Sequence, residues 1–102
     1  MIYKKFKIAS QTITTKIVDH LPENDYGLFN DAENLILIAR TIEKDGKMIE
    51  LSESQQLNTW CHELIHVFQF YFNNDFDEAQ AQVYANFICE MLETGIPYEQ
   101  TN

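Results

Sequence analysis

Five residues, His62-Glu63-Leu64-Ile65-His66, constrain this chain more than any other stretch. On a helix, positions four apart point the same way, so His62 and His66 can close on one metal ion. Glu63 is rotated off that pair yet starts beside it, close enough to reach a water on the metal. Two neutral imidazoles suit zinc, and a carboxylate near the water suits a general base. Two of the three histidines in the chain are spent on this motif.

Two imidazoles do not complete a catalytic zinc site, which usually takes three protein ligands and leaves a fourth position to water. The third ligand is expected downstream, on an element that folds back against the first helix. Asp77-Glu78-Ala79-Gln80-Ala81-Gln82-Val83-Tyr84-Ala85-Asn86 supplies it. As a helix, this stretch puts Glu78, Ala81, Gln82 and Ala85 on one face. Alanines beside a lone carboxylate let two helix backbones approach closely, so Glu78 is the expected third ligand. Gln82, one turn later, is placed to hydrogen-bond the far side of a ligand.

H-E-L-I-H followed shortly by E-A-Q-A-Q-V-Y-A resembles the gluzincin metallopeptidases. Within them the chain is most similar to the small ImmA/IrrE-like group of bacteria, phages and mobile elements. That group pairs H-E-x-x-H with a downstream E-x-x-A-x-x-(aromatic)-A helix, matched here by Glu78, Ala81, Tyr84 and Ala85. The resemblance covers roughly the last half of the chain. Eleven residues separate His66 from Glu78, fewer than in the large gluzincins. The resemblance implies that His62, His66 and Glu78 bind zinc, that Glu63 polarises the attacking water, and that the substrate is a protein or peptide.

The 102 residues suit a single domain with one core. A net charge of −9 argues against a nucleic-acid partner, because a phosphate backbone repels an acidic surface. The two cysteines, Cys61 and Cys89, both fall in apolar helical stretches and read as buried free thiols of a reducing compartment. Lys4, Lys5 and Lys7 interrupt any signal-peptide-like run, and no stretch approaches a membrane span. The expectation is a cytoplasmic protein with no membrane partner; the oligomeric state is left open.

The fold expected is α+β, a small antiparallel sheet of three to four strands packed against two zinc-binding helices. Residues 1–50 are mainly β. Ile2–Ile8 alternates and Gln11–Val18 is β-branched, so the two read as a hairpin. Asp19–Asp25 reads as a loop, with His20 a surface residue. Tyr26–Phe29 and Leu35–Ala39 are short apolar strands around a polar turn. In the gluzincins the strand nearest the cleft pairs with an extended substrate, and either Tyr26–Asn30 or Leu35–Arg40 suits that role. Thr41–Glu50, with Asp45-Gly46, is a hairpin tip or exposed loop.

Ser52-Glu53-Ser54-Gln55 has the form of a capping box, so a helix is expected over 52–72. Its apolar stripe is Leu57, Cys61, Leu64, Ile65, Phe68 and Phe72. Trp60, Phe70 and Tyr71 are assigned to packing. A turn at Asn73-Asn74-Asp75 leads to a second helix over 77–94, closed by Gly95 and Pro97, with Ile88, Cys89 and Leu92 entering the core.

The activity this points to is zinc-dependent peptide hydrolysis with Glu63 as general base. A tyrosine or histidine usually helps stabilise the oxyanion in such enzymes, and Tyr84, Tyr26, Tyr71 and His20 all qualify. Two alternatives stand beside it. One is a latent peptidase whose tail, Tyr98–Asn102, or a loop blocks the cleft; the other is a zinc-stabilised binding module without turnover.

Overall fold

In the computed structural model, which describes residues 1–72 and 75–99, the N-terminal half is β and the C-terminal half helical. The strands are β1 (Lys5–Ile8), β2 (Gln11–Val18), β3 (Gly27–Asn30), β4 (Leu35–Ala39), β5 (Thr41–Lys44) and β6 (Lys47–Glu50). Two helices follow, α1 (Glu53–Phe72) and α2 (Glu78–Thr94). The class is α+β, as expected. Asn73 and Asn74 of the expected turn, and Gln100–Asn102 of the tail, lie outside the described residues.

The main sheet is mixed, which corrects the antiparallel sheet read from the sequence. Its order is β1-β2-β4-β3, with β2 and β4 parallel and the other pairs antiparallel. The cause is the composition of β4. Leu-Ile-Leu-Ile-Ala is the most apolar strand, and Ile36, Ile38 and Ala39 are fully buried. It therefore takes a central position between β2 and β3, as a strand covered on both sides does. Inserting β4 there makes its pairing with β2 parallel and leaves β3 at the edge.

The Asp45-Gly46 signal marks a true hairpin, β5–β6, with both residues at positive φ (54° and 77°) as a two-residue primed turn requires. Ser52 starts α1 through the expected reciprocal cap. The Gln55 amide donates to Ser52 Oγ at 3.1 Å, and the Ser52 amide donates to Gln55 Oε1 at 2.8 Å.

Helix α1 lies between the sheet and α2, so its buried surface is wider than one stripe. Leu57, Cys61 and Ile65 are buried as expected, but Trp60 and Val67 are buried too, against the sheet side. Trp60 Nε1 donates to Thr15 Oγ1 of β2 at 2.9 Å, and Tyr3 and Phe6 meet its ring edge-on. Phe72, assigned to the stripe, is 91% exposed because it ends the helix beyond the reach of both neighbours. On α2, Ala81, Ala85 and Cys89 are buried against α1, whereas Leu92 is exposed rather than in the core. The two small alanines at the crossing let the helices approach closely enough to share a polar site.

Candidate metal centre

His62 and His66, one turn apart on α1, turn towards the start of α2, their rings 4.8 Å apart and nearly perpendicular. Glu78 opens α2. Asp77 caps that helix, its side chain accepting from the Gln80 amide at 2.9 Å, so the Glu78 carboxylate sits at the positive end of the helix dipole. Glu78 Oε1 lies 2.8 Å from His62 Nε2 and 3.2 Å from His66 Nε2. The three side chains offer ligand atoms within 4.8 Å of one another and could hold a metal ion.

The far sides of the rings decide which nitrogens are free. His66 Nδ1 lies 2.8 Å from Gln69 Oε1. The backbone fixes that amide's orientation, because Gln69 Oε1 also accepts from the Asp77 N–H and Gln69 Nε2 donates to the Asp77 carbonyl, each at 3.2 Å. Gln69 Nε2 further donates to Gln80 Oε1 at 2.7 Å. An acceptor at Nδ1 keeps the proton there and leaves the Nε2 lone pair for a ligand bond. His62 is held alike, its Nδ1 3.0 Å from Gln82 Oε1, while Gln82 Nε2 donates to Asn86 Oδ1 at 2.8 Å. With both rings neutral, two lone pairs and a carboxylate oxygen converge, an arrangement that calls for a cation or protons between them.

The spacing also suits an ion. Donors about 2.0–2.1 Å from a tetrahedral zinc stand about 3.3 Å apart, and the two contacts to Glu78 Oε1, at 2.8 and 3.2 Å, are within about half an ångström of that spacing. Two imidazoles and one carboxylate are the donor types zinc takes at an open site.

Glu63 sits on the sheet side of the histidines, with only 7% of its surface exposed. Burial pushes its carboxyl up to about 7, against the opposing pull of His66 and His62. Partial burial raises Glu78 as well, but in the ion-free site, where protons on the two Nε2 atoms take the place of a cation, hydrogen bonds from His62 and His66 outweigh it and hold that carboxyl below its ordinary range. The two carboxyls are thus shifted in opposite directions, Glu78 down and Glu63 up. Gly27 of β3 makes room for this. A Cβ there would stand 2.5 Å from Thr59 Cγ2 and 3.2 Å from Glu63 Cγ, so only glycine brings the edge strand this close to α1.

A cleft of about 690 Å³ opens over these groups, lined by Tyr26 and Gly27 on one wall and by α1 and α2 on the other. Of the two candidate cleft strands, Leu35–Ala39 is excluded, because it is paired on both sides. β3 is left, with its outer edge open among the described residues. The Ala39 amide donates to the Tyr26 carbonyl at 2.9 Å, so by the alternation of antiparallel bonding Gly27 and Phe29 turn their N–H and C=O groups outward.

His62, Glu63, His66, Glu78 and Gln82 are therefore brought together at one place. Tyr84 is not among the cleft-lining residues; it stands half-exposed on the outer side of α2. The Tyr71 hydroxyl donates to Asn34, and His20 is held by the Thr41 carbonyl at 3.2 Å. Of the four oxyanion candidates, Tyr26 alone lines the cleft. Gln69 went unnoticed in the sequence; its signal was a polar residue one turn after a ligand histidine, inside a buried stretch. No family model, curated protein or solved structure matches the chain.

Proposed function

We propose that the chain is a zinc-dependent peptidase of minimal gluzincin type, similar to the ImmA/IrrE-like group. The observation that carries this is the convergence of His62 Nε2, His66 Nε2 and Glu78 Oε1 beside a buried carboxyl, Glu63, at the floor of a cleft. His62, His66 and Glu78 hold the ion. When bound, zinc supplies Lewis acidity toward a peptide carbonyl and the attacking water.

The chain's own residues do the rest. An extended peptide pairs with the outward-facing backbone groups of Gly27 and Phe29, which aligns its carbonyls along the cleft. Glu63 takes the proton from the attacking water and passes it to the departing amine nitrogen. Burial raises this carboxyl in the ion-free protein, and a bound cation would draw it back toward the ionised form that accepts a proton. Tyr26, which lines the cleft, is the residue we assign to donate its hydroxyl to the developing oxyanion. Burying Glu63 costs stability, and a purely structural ion has no use for that carboxyl, which favours catalysis over a binding module.

The test uses a mixture of quenched fluorescent peptides, with metal content measured on the same samples. Wild type is expected to cleave, and Glu63→Gln to lose at least about 100-fold in rate with zinc retained. Equal cleavage by the variant would remove Glu63 as the base. A zinc-loaded wild type without turnover on any peptide would leave a zinc-stabilised binding module.

A further inference from the structure

Helix α2 buries one flank against α1 and leaves a second apolar flank uncovered. Val83, Phe87 and Met91 recur at four-residue spacing, with Tyr84 beside them, and these four side chains are between 46% and 64% exposed. Their uncovered area is a few hundred Å², on the order of the largest apolar patch on a monomer and below the roughly 800 Å² one subunit gives to a standard interface. A patch one helix long and one helix wide fits a single amphipathic helix laid alongside.

Charge identifies the chemistry of that helix. All seven lysines and arginines lie at or before Lys47, and residues 48–102 carry nine of the sixteen carboxylates. The whole formal charge of −9 therefore belongs to the part of the chain that holds α1 and α2. Glu90, next to the Val83–Phe87 row around the helix, places acid at its rim. Such a surface repels a second copy of itself and an anionic membrane, and attracts cations.

We infer that the outer face of α2 is a docking site for a basic amphipathic helix of a partner protein, with apolar residues at three- and four-residue spacing and lysine or arginine at their margins. The partner would pack as a third helix outside α2. It would not enter the cleft, since Val83, Phe87 and Met91 are absent from the cleft lining.

The experiment titrates the full chain carrying Glu63→Gln, so that a probe survives whether or not the chain is a peptidase, against two labelled helical peptides. One is built from leucine and lysine at heptad spacing, the other from leucine and glutamate in the same pattern; binding is read by fluorescence anisotropy. The leucine–lysine peptide is expected to bind and the leucine–glutamate peptide not to. Phe87→Asp/Met91→Asp should weaken binding at least about tenfold. Glu90→Lys, at the exposed rim, is an independent variant that should weaken it a few-fold without touching the apolar row. Equal binding of both peptides, or binding indifferent to the double substitution, would overturn the inference. So would a dimer in sedimentation that Phe87→Asp/Met91→Asp abolishes, or binding only to vesicles of anionic phosphatidylglycerol.

Discussion

The two ring nitrogens that face away from Glu78 matter as much as the two that face it. Gln69 and Gln82 each present an amide oxygen to Nδ1 of a histidine, and so direct both Nε2 lone pairs to one point. Replacing Gln69 by leucine is expected to lower zinc affinity about 10- to 100-fold, measured by competition with a chromogenic chelator. Affinity within twofold of wild type would mean that the amide does not orient His66. Glu63 gives a pH signature in the metal-free protein. Its carboxyl is raised from an ordinary 4.5 to about 7, so the folded state binds that proton more tightly than the unfolded chain. The stability this contributes is complete below about pH 4.5 and is lost as pH rises through 7, a total of about 3 kcal/mol. Denaturant unfolding of metal-free wild type against Glu63→Gln should show wild type losing ground over that window. Parallel curves would contradict the burial of the charge. The clustering of His62, His66, Glu78 and Gln82 was legible in the sequence because helical period alone puts them on facing surfaces. Gln69 was not, because its partners, the Asp77 backbone and His66, meet only once the helices cross.

At the scale of elements, β3 and α1 form the walls of the cleft, and their spacing is set by Gly27. Gly27→Ala puts a methyl group 2.5 Å from Thr59 Cγ2, on a β-branched side chain whose rotamer the helix restricts. The expected cost is about 1–3 kcal/mol, read from the midpoint of chemical unfolding. An unchanged midpoint would mean that the strand moves away freely. Both helices, the capping box and most strands could be read from periodicity and turn residues. The order of the strands could not, since alternation tells which face of a strand is buried and not which strand lies beside it. The insertion of β4 between β2 and β3 follows from competition for the most covered place in the sheet, and it is what leaves β3 open to the cleft. Trp60 was read as a packing residue and is one, but the burial of Val67 was missed for a related reason: a helix packed on two sides shows no single stripe.

At the scale of the whole molecule, the β half is almost neutral, with seven basic and eight acidic residues over 1–50, and provides an edge and a wall, while the acidic helical half provides every side chain of the proposed metal centre. The two halves meet where Gly27 touches Glu63. Among the described residues no helix is long and apolar enough to cross a membrane. The measurement that bears most directly on the account is metal content by elemental analysis of purified wild type beside Glu78→Ala, whose side chain is exposed and whose loss leaves the core intact. The account predicts about one zinc per wild-type chain and its loss from the variant. Zinc retained in full by Glu78→Ala, or no metal bound by either protein after zinc is added, would contradict it.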